Sequence, residues 1–151
     1  MFSKILVPQD FTNLARRPLE LAKDLAAITG AEVVVLAVVD DSFPNPDVFS
    51  FQMPWADYHR HLRELATKKL NALAEQVGTP QAKVQVVRGK PAAKIVEYAS
   101  EERCDLIIMA TQGTRGLRQA LLGSVARKVV HEAPCPVMLI RLAGEESAEA
   151  E

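Results

Sequence analysis

Three glycines and a serine, set between an apolar run and a helical pattern, are the residues of this chain best placed to do chemistry. Gly113, Gly116 and Gly123 lie in a polar stretch with Arg115 and Arg118, and Ser124 opens the helical pattern that follows. Ahead of them stands Leu106-Ile107-Ile108-Met109, with the length and character of a strand buried on both faces. Strand, glycine loop and helix start together make an anion site. Glycine lets the backbone approach a phosphate and take positive φ, and the free N–H groups of the helix point at the anion. Gly113, Gly123 and Ser124 are the candidate contacts, through backbone N–H groups and the serine hydroxyl. The competing reading is a glycine-rich turn with Gly123-Ser124 as an ordinary helix cap. The loop has no Gly-Lys-Ser/Thr ending and does not follow G-x-G-x-x-G, so it is neither of those two phosphate loops.

The elements that must position these residues follow from periodicity. Lys4 to Pro8 reads as a first strand running into Gln9-Asp10. Thr12 or Asn13 then caps a helix with Leu14, Leu19, Ala22 and Leu25 on one face, ending near Gly30. Pro18 fits that helix only if regular hydrogen bonding starts late or the helix kinks. Ala31 to Val39 is a second strand. Asp40 to Pro54 breaks the pattern with Pro44, Pro46 and Pro54, and five of the eight aromatics fall between Phe43 and Tyr58. Those rings either pin the loop to the body or form a lid or partner surface. Trp55 to Val77 is a long helix with Leu62, Leu65, Ala66, Leu70 and Leu73 at helical spacing, stopped by Gly78-Thr79-Pro80.

Ala82 to Val87 alternates like an exposed edge strand, and Pro91 to Glu101 is a helix opened by its proline. The strand from Asp105, the glycine loop, a helix from Ser124 to His131 and a last strand, Val137 to Ile140, complete a domain over residues 1–142. Residues 143–151, acidic and without apolar pattern, read as a disordered tail. The β-α alternation predicts an α/β fold: a five-stranded parallel sheet with helices on both faces. Ligands in such folds bind beyond the carboxyl ends of the strands, where strand order reverses. Asp10, Val38-Val39 and the glycine loop all sit at such ends.

Composition narrows the function. At 151 residues the chain supports one domain with a sizeable core, and 48% hydrophobic and 25% charged residues are ordinary for a soluble globular protein. A net charge of −1 and an aromatic share of 5% argue against a nucleic-acid surface. No apolar run reaches membrane-spanning length, and Met1-Phe2-Ser3-Lys4 leads directly into a strand, so neither membrane insertion nor a secretory leader is expected. Cys104 and Cys135 read as reduced core thiols of a cytoplasmic protein. His59, His61 and His131 form no ligand cluster and are expected to be exposed or locally paired.

Anchored on Gly123-Ser124, the spacing runs Ala110-x2-Gly113-x9-Gly123-Ser124, with Gly116 inside the spacer. This resembles the G-x2-G-x9-G-[S/T] pattern that ATP-binding members of the universal stress protein family carry after their fourth strand, with alanine at the first glycine. Ile5-Leu6-Val7-Pro8-Gln9-Asp10-Phe11 and Ala133-Pro134-Cys135-Pro136-Val137 extend the resemblance over nearly the whole chain. It implies strand order 3-2-1-4-5 in a Rossmann-like, adenine nucleotide alpha hydrolase-like fold. It also implies an adenine nucleotide (ATP, or AMP or another relative) as cofactor, and a two-fold homodimer through the Val137–Ile140 strand.

By the same resemblance Asp10 lies near the ribose and phosphates and is a candidate Mg²⁺ ligand, its local alternative being a cap through the Thr12 or Asn13 amides. Pro8, Gln9, Val38 and Val39 line the adenine pocket, Gly113, Gly123 and Ser124 meet the phosphates, and Met109, Ala110 and Val125 complete the cofactor-binding positions. The Ala110 methyl is expected to weaken binding without abolishing it. Catalysis is poorly supported, because phosphoryl transfer needs charge clamps, a metal and a positioned nucleophile, and only Asp10 offers an acidic ligand. The expectation is a nucleotide-responsive regulatory module with at most slow hydrolysis and a protein partner the residues do not identify. The rivals are a nucleotide hydrolase on the same fold and a nucleotide-free dimeric interaction protein.

Overall fold

The computed structural model describes residues 1–41, 54–111 and 122–142. The apolar runs become β1 (Lys4–Gln9), β2 (Glu32–Val39), β3 (Lys83–Arg88), β4 (Leu106–Ala110) and β5 (Val137–Ile140). The described helices are α1 (Arg16–Thr29), α2 (Trp55–Val77), α3 (Pro91–Glu101) and α4 (Ser124–Glu132). All strands run parallel in one sheet of order β3-β2-β1-β4-β5, the order the resemblance implies. Ile5 stands opposite Val33 on one side and Leu106 on the other. Strand order reverses at β1, between β2 and β4.

The period of two along each strand sorts the core into two layers. Ile5, Val7, Val33, Val35 and Ile108 face α1 and α2, meeting Leu19, Ala22, Ala66 and Leu70. Leu6, Val34, Leu36, Ile107 and Met109 face α3 and α4, meeting Ala92, Ile95, Ala126 and Val129. Strands covered on both faces need apolar residues at every position, which is why β1, β2 and β4 read as unbroken apolar runs. The edge strands β3 and β5 are only half-buried, in keeping with the alternation in β3.

Helix ends follow local chemistry. α1 stops where Gly30 takes φ 75° and α2 where Gly78 takes φ 82°, left-handed conformations that glycine adopts without a Cβ clash. α1 begins later than its candidate caps suggest. Its N-cap is Ala15, with no side-chain cap, rather than Thr12 or Asn13. Pro18 is therefore the third helical residue, where no intrahelical N–H bond is required of it. At the opposite end of the sheet, Asp105 ties β4 to β1. Its carboxylate accepts hydrogen bonds from the Ser3 N–H at 2.7 Å, the Ser3 hydroxyl at 2.8 Å and the Lys4 N–H at 3.2 Å.

His59 departs from the expectation of exposed or locally paired histidines. It is 9% exposed, and neither ring nitrogen has a hydrogen-bond partner among the described residues. Its ring meets Trp55 edge-on at 4.5 Å and lies 5.5 Å from Tyr58. The position extends the buried stripe Ala66, Leu70, Leu73 of α2 back by one heptad, so packing outweighs polarity. Its desolvation, aided by the Arg88 cation and opposed by Asp41, holds its pKa below the ordinary histidine value. His61 and His131 are exposed. Cys104 and Cys135 are free thiols, the first buried and the second half-buried in the same core layer. Burial pushes Cys104 up to about 11 and Cys135 in the same direction, which leaves little thiolate for reaction.

Gly113, Arg115, Gly116 and Arg118 lie outside the described residues, as do most of the Asp40–Pro54 segment and the tail at 143–151. No helix among the described residues is long and apolar enough to cross a membrane.

Candidate functional site

A cavity of about 700 Å³ opens at the carboxyl ends of β1, β2 and β4, at the point where strand order reverses. That volume falls within the range of small-molecule and cofactor pockets. Ten of the residues singled out from the sequence line it: Pro8, Gln9, Asp10, Val38, Val39, Met109, Ala110, Gly123, Ser124 and Val125. They come from β1, β2, β4 and the start of α4, so the parallel topology brings together segments more than a hundred residues apart in sequence. Gly113 belongs to the undescribed stretch.

The anion-directed part is the start of α4. Gly123 is its N-cap, with φ −60° and ψ 155°, and has no side chain to satisfy the helix N–H groups. The Gly123 N–H donates to the Thr111 carbonyl at 2.9 Å, and its own carbonyl accepts from Arg127 at 3.0 Å. Thus the Gly123 amide is already engaged, contrary to the role expected of it. The donors left for an anion are the first N–H groups of the helix, at Ser124 and Val125, beside the exposed Ser124 side chain. Gly123 itself is buried, and its backbone angles are ones that any residue adopts. The Thr111 N–H donates to Ile140 at 3.0 Å, so the end of β4 is tied both to β5 and to the start of α4.

The β1–α1 loop forms the opposite wall. One Asp10 carboxylate oxygen accepts from the Thr12 N–H at 3.0 Å and from the Thr12 hydroxyl at 2.6 Å, and the Asp10 carbonyl accepts from the Asn13 N–H at 3.0 Å. Asp10 therefore organises its own loop, and does so without capping α1. Gln9 is buried, and its side-chain amide bonds the backbone of Ala15. Between these walls the floor is apolar, with Pro8, Leu36, Val38 and Ile95.

One wall escaped the sequence reading. Tyr58, Leu62, Leu65 and Lys69 of α2 line the cavity at steps of four, three and four residues, a single helix face. The Lys69 ammonium donates to the Phe11 carbonyl at 3.3 Å, tethering α2 to the β1–α1 loop. Helical spacing had marked Leu62 and Leu65 as core positions, and the same spacing serves a pocket wall. The charged side chains in the described lining are Asp10, Asp40 and Lys69. No group of three or more metal-ligating side chains occurs among the described residues.

The model of the universal stress protein family matches residues 1–141. The chain is 34% identical over 145 residues to universal stress protein MJ0531 of Methanocaldococcus jannaschii, covering 93% of this chain and 83% of that one. It is similar to the solved structure of universal stress protein UspA from Lactobacillus plantarum, with 28% identity, a TM-score of 0.72, and coverage of 93% and 98% of the two chains. A family protein from Arabidopsis thaliana, solved with AMP bound, shares the fold at 19% identity and a TM-score of 0.62, covering 95% of this chain and 94% of that one.

Proposed function

The chain belongs to the universal stress protein family, and we propose that it binds an adenine nucleotide, ATP foremost, and acts as a regulatory module that responds to it. The observation that carries this reading is the convergence of three features on one cavity: the start of α4, the Asp10 loop and the apolar end of β2. AMP in the Arabidopsis structure is a property of that protein; the support here is the chemistry of this pocket.

Each part has a role in this reading. The phosphates lie at the amino terminus of α4, where the Ser124 and Val125 N–H groups and the Ser124 hydroxyl donate and the helix dipole favours an anion. The absent Cβ of Gly123 leaves room for them, and Gly113 extends the cradle from the adjoining loop. Val38, Val39 and Pro8 pack against the base, with Met109 and Ala110 beneath the ribose and phosphates. Asp10 uses the oxygen not engaged by Thr12 to accept from a ribose hydroxyl. That oxygen also suits a Mg²⁺ ion that arrives with the nucleotide, since Mg²⁺ takes one or two carboxylates and completes its shell with phosphate and water. When bound, the ion would neutralise phosphate charge.

We assign no nucleophile or general base to the described lining, and treat any hydrolysis as slow. The protein acts in the cytoplasm, where its two free thiols stay reduced, and pairs with a second copy through β5. One observation favours a rival. Ala110 places a methyl where the family pattern has its first glycine, and a nucleotide-free interaction protein would tolerate that. Calorimetry with ATP and Mg²⁺ tests the reading. The parent binds; Gly123→Val, whose backbone angles valine accepts, abolishes binding by sterics; and Ser124→Ala costs about 1 kcal/mol, roughly fivefold. Ala110→Gly binds as well or better. A Gly123→Val protein that folds and binds like the parent would place the phosphates elsewhere. Turnover of bound ATP within seconds would favour the hydrolase.

A further inference from the structure

Gln9 is a polar residue on the inward face of a buried strand. It continues the alternation Ile5, Val7 that packs against α1 and α2, and is 7% exposed. Such a group requires partners. It finds both in one residue: Nε2 donates to the Ala15 carbonyl at 2.7 Å, and Oε1 accepts from the Ala15 N–H at 2.9 Å. Only one orientation of the amide satisfies both contacts, because a nitrogen facing the N–H would oppose donor to donor.

Ala15 is the N-cap of α1, a cap that carries no side-chain hydrogen bond, and no acidic residue lies in the first turn. Gln9 thus joins the end of β1 to the start of α1 across residues 10–14. Within that closed loop sit the Asp10–Thr12 and Asp10–Asn13 bonds, and the Lys69 ammonium braces it from α2 at Phe11. The loop is a wall of the cavity, and it presents the Asp10 carboxylate.

We propose that Gln9 is a positioning residue. By clamping Ala15, its buried amide fixes the β1–α1 loop before ligand arrives and so holds Asp10 in the orientation the ligand uses. This deepens the nucleotide reading above and rests on it. It adds to the role that the resemblance implies for Gln9, which also lines the cavity. A clamp of this kind raises affinity by lowering the ordering cost of binding rather than by adding a contact.

Gln9→Leu and Gln9→Met test the clamp, because each removes both bonds at similar volume and adds no charge to the cavity. Mg-ATP affinity of each variant is expected to be about tenfold weaker than that of the parent. In parallel, the Ala15 amide exchanges slowly in the parent and fast in both variants. Folding of each variant is checked by urea unfolding.

Equal affinity of the parent and a folded Gln9→Leu or Gln9→Met would overturn the proposal, and so would an Ala15 amide that exchanges no faster in those variants than in the parent. A parent that binds no Mg-ATP defeats the nucleotide reading and the positioning role with it. The parent titration alone identifies that outcome, since failure of the clamp leaves parental binding intact.

Discussion

Replacing His59 by phenylalanine should make the protein more acid-resistant. In the folded state the imidazole is 9% exposed, without a hydrogen-bond partner among the described residues, against the edge of Trp55. Desolvation, then the Arg88 cation, disfavour its protonated form, and Asp41, ion-paired to Arg88 at 3.5 Å, only partly offsets them. The unfolded chain takes up a proton at this histidine below its ordinary value near 6.5, while the folded protein resists it. Stability attached to His59 is therefore whole above that pH and declines as pH falls, levelling only once the folded imidazole is itself protonated.

One proton taken up on unfolding tilts stability by about 1.4 kcal/mol per pH unit, so between pH 6.5 and pH 5.0 the ceiling is about 2 kcal/mol. His59 lies near the surface at the start of α2, where nearby water screens the charge, and a loss of about 1 kcal/mol is the expectation. Urea unfolding at pH 7.5, 6.5, 5.5 and 5.0 reads this directly, with His61 and His131 cancelling between parent and variant. The variant should match or exceed the parent at pH 7.5, having lost two buried nitrogens without partners among the described residues, and its advantage should widen on acidification. Parallel pH profiles would refute the reasoning, because they would mean that folded His59 protonates as freely as an unfolded one.

Asp105 should give a pH dependence of the same sign in a lower window. Burial pushes its carboxyl up, but the Ser3 and Lys4 donors outweigh that and hold it below the ordinary carboxylate value. Its stabilisation is thus present above about pH 4 and lost below. Asp105→Ala should cost roughly 1–2 kcal/mol at pH 7 and progressively less as pH falls below about 4 by the same urea assay. At the β5 edge of the sheet, Met138 is 36% exposed, and Val130 on α4 is 46% exposed. Sedimentation at micromolar concentration should find a dimer for the parent and a monomer for Met138→Lys, and a dimeric variant would remove β5 from the interface.

How far the sequence reveals this molecule depends on which physical pattern each feature obeys. Unbroken apolar runs such as Val33 to Ala37, short and rich in β-branched residues, mark strands covered on both faces, so the sheet and its layers were legible. The glycine terminators Gly30 and Gly78 marked helix ends for a conformational reason. Hydrogen bonds between side chain and backbone leave no such periodic mark. The start of α1 at Ala15, the Gln9 clamp and the engaged amide of Gly123 each depend on which carbonyl lies opposite, and spacing does not encode that. Even so, Gln9 gave one sign, as a polar residue in phase with Ile5 and Val7.

The missed α2 wall has a geometric cause that connects the fold to the site. α2 has 23 residues and is about 34 Å long at 1.5 Å per residue. β2, which leads towards it, has 8 residues and spans about 26 Å. A helix longer than the strand it covers must overhang, and here the first turns of α2 extend past the carboxyl edge of the sheet. Leu70, Leu73 and Val77 have strands to pack against and are buried, whereas Tyr58, Leu62 and Leu65 carry the apolar face on to where the sheet stops and face the cavity. The same overhang explains why His59, on the neighbouring side of that face, packs against Trp55 instead of a strand. An apolar stripe on a helix marks what must be kept from water. The length mismatch between α2 and β2 decides where that stripe passes from the sheet to the cavity.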